Sequence, residues 1–364
     1  MRIPIHIWLL ALALLLSAGL VQAQPEQPTP APPGPTLNAV LSRGEVYCGV
    51  SADQPGFSYL DPNTAEIRGF NADLCRALGA AIFGSPMAVQ LRLVTADEGL
   101  QAVAAGELDI FLQLVTWNLT LDSTNSLEFG PVLFTQGQTF MVRADGPLAD
   151  WPNLDGATIC LVEGSPAAQY LPGEMARRGL IYQPVTLPTA EAALEAFAAG
   201  RCQALTAGLI ELETLRRRLS AAADYRVWQG DQLPYTAEPL APVYRAGDHQ
   251  WADIVEWTYL GLVQAEQLGI NSQTISDRAR RPQETDAAYS ARVGGDTARL
   301  LDAKLGLGWR LGLRGDFMAA VITQIGSYAE IYDRNLGAGG DLTLERGLNR
   351  LWRDGGLLYP PPWQ

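Results

Sequence analysis

Three kinds of residue in this chain are suited to touching a small molecule. Gly164-Ser165-Pro166 is a short polar loop that opens a helix predicted over residues 167–176. The amides of a helix start, joined by a serine hydroxyl, suit a carboxylate or another anion. The plainer alternative is that Ser165 only caps the helix. Phe57, Tyr59 and Trp117 are loop aromatics that can stack on a ligand or wall in its apolar part. The alternative for each is packing in the core or at its rim. Glu163 is an acid that can hold an amine, although most loop acids point into solvent. His249 has no nucleophile pattern around it and reads as a surface residue at a helix start. Trp228 and Trp257 read as core. No catalytic group, metal ligand set or cofactor motif emerges.

The bulk composition narrows the partners. With 364 residues the chain is long enough for two lobes. Its formal net charge of −13 repels phosphate backbones and anionic lipid, so nucleic acid and membrane surfaces are poor partners. Arg2 followed by the apolar stretch from Ile3 to Leu20, then Val21-Gln22-Ala23, reads as a signal peptide over residues 1–23. An uncleaved anchor is the alternative. The expected location is periplasmic or extracellular. No cysteine follows the stretch to carry a lipid. The four cysteines, Cys48, Cys75, Cys160 and Cys202, are an even set that favours disulfides in an oxidising compartment, with three pairings open. They are too far apart in sequence to suggest zinc.

Residues 24–36 hold six prolines and read as an extended linker. Val46–Val50 then reads as a buried strand. Leu74, Leu78, Ala81 and Ile82 share one face of a helix over 71–83 that Gly84 stops. Residues 89–94 alternate as a strand. Thr95 and Glu98 have capping-box spacing for a helix that ends at Gly106, and residues 108–112 are a strand. Such an order implies an α/β fold with a parallel sheet covered on both faces. The unit recurs. Residues 100–106 and 194–200 are similar Ala-rich helix ends that stop at glycine before a strand, and Thr158–Val162 resembles Val46–Val50. Their common order points to an internal duplication. Residues 140–143 read as the first crossing between lobes and residues 239–244 as the return. Lobe 1 is then 37–141 and 235–364, the latter with a C-terminal helical extension, and lobe 2 is 142–234. Residues 250–268, 316–336 and 344–353 read as further helices, and 272–304 as polar sequence without clear placement.

Ligands of parallel α/β sheets bind beyond the carboxyl ends of the strands. That rule selects residues 51–59 and 113–123 from one lobe, and 163–167 and 206–209 from the other.

The chain resembles bacterial solute-binding protein family 3, and within it the general L-amino-acid-binding branch of the polar amino acid ABC transporters. The similar stretches include Cys48-Gly49-Val50, Pro55-Gly56-Phe57-Ser58, Gly69-Phe70-Asn71-Ala72-Asp73-Leu74-Cys75, Gly156-Ala157-Thr158-Ile159-Cys160, Gly200-Arg201-Cys202 and Gly247-Asp248-His249-Gln250-Trp251. Ile325-Gly326-Ser327-Tyr328-Ala329-Glu330-Ile331 and Arg346-Gly347-Leu348-Asn349 extend the likeness to the C-terminal region. It implies the type II periplasmic-binding-protein fold, two doubly wound lobes joined by a two-stranded hinge. It also implies the disulfides Cys48–Cys75 and Cys160–Cys202, a small-molecule solute, an ABC permease as partner and a monomeric state.

The strand-end rule and the resemblance together give a candidate ligand site: Phe57 and Glu163 from the loops that the rule selects, and Gln113, Thr116, Trp117, Leu121, Gly164, Ser165 and Gly208 from positions that the resemblance implies. Several of these positions depart from the family pattern. The arginine that grips the α-carboxylate corresponds to Leu121, and a second arginine of the branch to Gln113. The aspartate that binds the ammonium corresponds to Gly208, and a threonine of the second lobe's loop to Pro166. A guanidinium forks onto a carboxylate with two charge-assisted hydrogen bonds, which Leu121 cannot replace. The implied function is an extracytoplasmic binding subunit that closes about a hinge on a small polar solute, neutral, cationic or held by other residues. Two alternatives stand beside it: a degenerate binder acting as a partner or sensor module, and a dehydratase-like enzyme on the same fold.

Overall fold

A computed structural model describes residues 32–113, 115–124, 126–340 and 342–364. The signal peptide expected over 1–23 and most of the proline-rich linker lie outside the described residues. The linker's last two residues instead belong to a helix, Pro35–Arg43. Pro35 sits at its first turn, where no amide partner is needed. The Thr36 amide donates to Asp248 Oδ2 at 2.8 Å and ties this helix to the body.

Fifteen strands follow in the described chain: β1 Val46–Val50, β2 Asp53–Gln54, β3 Ser58–Leu60, β4 Ile67–Arg68, β5 Val89–Leu93, β6 Ile110–Phe111, β7 Leu127–Phe129, β8 Phe134–Gln136, β9 Gln138–Arg143, β10 Thr158–Val162, β11 Gln183–Leu187, β12 Ala204–Gly208, β13 Tyr225–Val227, β14 Glu238–Leu240 and β15 Val243–Arg245. Two five-stranded sheets result, β5-β1-β6-β15-β7 and β11-β10-β12-β9-β13. In each, the first three strands pair in parallel and the other two join antiparallel. This is the type II periplasmic-binding-protein fold, and the duplication inferred from short sequence similarities is the repeat of one strand order. Both repeats carry a disulfide on the equivalent strand, second in each order, Cys48–Cys75 and Cys160–Cys202.

Local chemistry explains the crossovers. The helix Phe70–Phe83 ends in a left-handed Gly84 at φ 71°. The helix Ala96–Ala105 starts with a complete capping box between Thr95 and Glu98. The strand expected over 108–112 contracts to the two residues of β6.

The crossing between sheets lies earlier than the sequence suggested. Residues 140–143 are interior to β9, which is paired on both sides by β12 and β13. A continuous apolar run suits a sheet interior and a crossing equally well, so pattern alone could not separate them. The chain passes instead at β8 and returns at β14, which pair antiparallel with Gln136 opposite Glu238 and Phe134 opposite Leu240. Pro239 cannot donate to a ladder, and it stands opposite Thr135. The Thr135 amide and carbonyl turn outward to Asn349, whose side chain accepts from one at 2.7 Å and donates to the other at 3.0 Å. On the other edge the Trp117 amide donates to the Pro239 carbonyl at 2.8 Å. Gly137 follows β8 where a Cβ would lie 1.9 Å from the Thr236 carbonyl, so a side chain is excluded there.

Two C-terminal helices differ from expectation. The single helix foreseen over 316–336 is two, Phe317–Gln324 and Tyr328–Asn335. Gly326 turns left-handed at φ 97° between them, and Ser327 starts the second with a capping box to Glu330. Residues 344–353 form only short 3-10 turns, Gly347–Asn349 and Trp352–Asp354. The polar stretch 272–304 contains helices Asp286–Val293 and Gly295–Leu301, anchored by Arg280, which donates to both Asp302 oxygens at 2.8 Å. No helix among the described residues is long and apolar enough to cross a membrane.

Replacing Asn349 by Ala leaves two buried backbone groups of Thr135 without partners. Urea denaturation of Asn349→Ala is expected to show a stability loss of about 2–4 kcal/mol, the cost of two orphaned polar groups.

A candidate ligand site on the crossing ribbon

Side chains alternate across a strand, so the β8–β14 ribbon has two faces. Phe134 and Gln136 of β8 share one face with Glu238 and Leu240 of β14. Thr135 and Pro239 point to the other. Different cavities open on the two faces.

The first face borders a cavity of about 320 Å³ lined by Gln136, Gln138 and Glu238 from the ribbon region. Its other wall is formed by Ser165 and Pro166 after β10, and by Thr206, Gly208 and Glu211 around the end of β12. Two helix starts, Pro166–Arg177 and Leu209–Arg217, therefore open on it, beyond the carboxyl ends of parallel strands. Further along the same face, a gap of about 10 Å³ is bordered by Phe134, Leu240, Asn71 and Gln113. Asn71 is 5% exposed. Asn71 Nδ2 and Gln113 Oε1 are both buried without a hydrogen-bond partner. No Lys, Arg or His lines either cavity among the described residues.

The cavity's polar groups are unequally engaged. Ser165 Oγ donates to the Val162 carbonyl at 2.7 Å and accepts from the Ala168 amide at 3.3 Å. The Thr206 hydroxyl donates to the Thr139 carbonyl at 2.8 Å and accepts from Tyr235 at 2.7 Å. Burial pushes the Tyr235 phenol well above its ordinary range, so it stays a donor. Glu238 Oε1 accepts from Gln138 Nε2 at 2.7 Å and from Thr236 Oγ1 at 3.2 Å. Gln136 Oε1 is buried and has no partner. Burial, and then the Glu191 charge, raise the Glu211 carboxyl above the usual carboxylate range.

The residues singled out from the sequence divide among different places. Ser165 and Gly208 meet in the larger cavity, and Gln113 borders the smaller one. Gly164 supplies the left-handed turn, φ 71°, that brings the chain from β10 to Ser165. Phe57 borders the smaller gap too, from the core side. It is 1% exposed and packs edge-on against Phe70 and Phe134 in the core. Tyr59 lies in β3, half-buried. Thr116 bridges Leu240 through its backbone. Trp117 stacks on Phe129 with centroids 6.2 Å apart and lines a groove of about 770 Å³ on the ribbon's other face. Leu121 packs, partly buried, against the core beside β6 and β7. Glu163 is exposed and lines neither cavity. His249 is an exposed residue at a helix start, at the rim of the groove behind the ribbon. Gln136, Gln138 and Glu238 were missed. Their signal was the period-2 spacing of two glutamines just before an apolar strand, and an acid beside a strand proline.

With that geometry in view, the matching family model is the bacterial extracellular solute-binding proteins, family 3, over residues 46–276. The chain belongs to this family. It is 34% identical to the general L-amino acid-binding periplasmic protein AapJ of Rhizobium johnstonii over 350 residues, 96% of this chain and 98% of the relative. It is also 34% identical to the glutamate/glutamine/aspartate/asparagine-binding protein BztA of Rhodobacter capsulatus, over 90% of this chain and 93% of that one. Among solved structures, a periplasmic binding protein of an ABC transporter from Brucella ovis, with glutathione bound, superposes with a TM-score of 0.71 at 31% identity, covering 91% of this chain and 100% of the other.

Ser165 accepts from its own helix and donates to the end of β10, so its first duty is the cap. Ser165→Ala is expected to lower the stability of the ligand-free protein by about 1 kcal/mol, read from its denaturant midpoint.

Proposed function

We propose that the chain is the extracytoplasmic binding subunit of an amino-acid-type ABC importer. The observation that carries this reading is the pair of sheets with one strand order, joined by two adjacent strands, with a polar cavity on one ribbon face. A connection of that kind bends without unfolding either half. We take residues up to Gly137 and from Pro239 onward as one lobe, and those between as the other. A solute that touches both lobes binds the closed form better and shifts the population toward it.

The family membership and the two periplasmic relatives support export, with residues 1–23 as the signal peptide, and delivery of the solute to a membrane permease by a monomeric binder. The solute is a small polar molecule of the amino-acid class or a relative of it. Leu121 in the core and Gly208 in the cavity support an atypical ligand, because neither can supply the charge that a zwitterion needs. Binding is favoured over turnover. Glu163, the acid singled out in the loop after β10, is exposed and does not line the cavity.

Native mass spectrometry of the freshly purified protein is expected to reveal a bound small molecule. Removing it and adding it back at a hundred times its Kd should stabilise the fold by about 2.7 kcal/mol, and the melting temperature should rise by several degrees. Small-angle scattering should show compaction in the same titration. A melting temperature that rises only with ordinary L-amino acids would refute the atypical ligand. A protein that no solute compacts would refute import and favour a partner module.

A further inference from the structure

The geometry points to Glu238 as the residue that selects the ligand, and to an organic cation lacking a carboxylate, an amine or a guanidinium, as the ligand class. This rests on the binding-protein reading given above.

The cavity on the ribbon face is rich in side-chain acceptors and has no side-chain cation among the described residues. The Glu238 carboxylate is held in place by Gln138 and Thr236, both bonding to Oε1. No ion pair reaches it among the described residues. Beside it, Gln136 Oε1 is buried with no partner. Of the side-chain donors nearby, the Ser165 hydroxyl is engaged with Val162 and the Gln138 amide with Glu238, while the amide nitrogen of Gln136 is left to meet a neutral acceptor on the ligand. A ligand that brings its own N–H groups satisfies both vacant acceptors. One that brings a carboxylate meets two acids, Glu238 and Glu211, with only the two helix starts and no side-chain cation to set against them.

Gly208 leaves room for such a ligand. A Cβ there would lie 3.6 Å from Gln136 Oε1 and 3.6 Å from Gln138 Nε2, facing the vacant acceptor and the amide that holds Glu238. No side chain from the end of β12 fills that space, so the acid comes from the ribbon instead. A cationic nitrogen and a carboxylate make hydrogen bonds about twice as strong as neutral ones. The position of Glu238 also matters. It lies opposite Gln136 in the ribbon, and its bond to Gln138 joins the returning strand to the first residue of β9. A cation bound there touches the bend and the second sheet together.

The test is isothermal titration of the whole protein with agmatine and 1,4-diaminobutane as organic cations, and with L-glutamine and L-glutamate as zwitterions. Small-angle scattering is run on the same samples. The cations are expected to bind and compact the protein. Glu238→Gln, which keeps shape and hydrogen bonding, should weaken them at least tenfold, and Glu238→Asp should recover part of the loss. Gly208→Asp adds a third carboxylate to the cavity, beside Glu238 and Glu211, and should tighten the cations several-fold, a gain that misfolding cannot imitate. Glu256→Gln, in the groove behind the ribbon, should change nothing. Cations that fail to bind at millimolar concentration, or that bind Glu238→Gln as well as the parent, would overturn the inference. If the zwitterions alone compact the protein, the ligand class and the role of Glu238 are wrong while the import function stands. If no probe or other solute compacts it, both fail.

Discussion

Everything in this protein turns on six residues paired edge to edge. Phe134–Gln136 and Glu238–Leu240 form the only two-stranded ribbon between the two large sheets among the described residues, and so few ladder bonds cannot hold themselves. The outer edges are therefore closed by others. Asn349 satisfies Thr135 on one side, and the Trp117 amide meets the Pro239 carbonyl on the other. Gly137 lets the chain turn into β9 against the Thr236 carbonyl. A proline on the ribbon removes one donor, and the pairing is arranged so that no partner inside the ribbon needs it.

The same ribbon sorts the chemistry. Its alternation sends Gln136 and Glu238 toward the strand ends of the second sheet, and Thr135 and Pro239 toward a groove with Trp117, Asp253 and Glu256. Both faces are acidic, yet only the first joins two helix starts, buried amide groups and the carboxyl ends of parallel strands. A cavity of that kind suits a small solute held by directed hydrogen bonds.

Much of the fold was legible because its signals are local. The Thr95–Glu98 capping box, Gly84 and Gly106 as helix stops, and the all-apolar β1 each depend on neighbours within a few residues. The repeat of one strand order showed through as paired similarities at like spacing. Signals failed where a run served two states equally. Residues 140–143 suit a buried strand as well as a crossing, and residues 316–336 have helical periodicity across a break set by Gly326 and the Ser327 cap. The site was only partly legible. Ser165 and Gly208 stood at strand ends, where the topology rule places ligands. Phe57 and Leu121 stood there too, yet both pack against apolar side chains of the core.

By itself, then, the sequence determined the α/β class, the duplication, the helix caps and the four cysteines in an even set, because backbone propensity and side-chain period act over short distances. Which face of a three-residue strand looks into a cavity was decided only in three dimensions. A shift of one residue inverts that choice, and what fixes it is the register with a strand about a hundred positions away together with an asparagine still further along the chain. Glu238 owes its place beside Gln138 to that register. No local pattern around it records the fact.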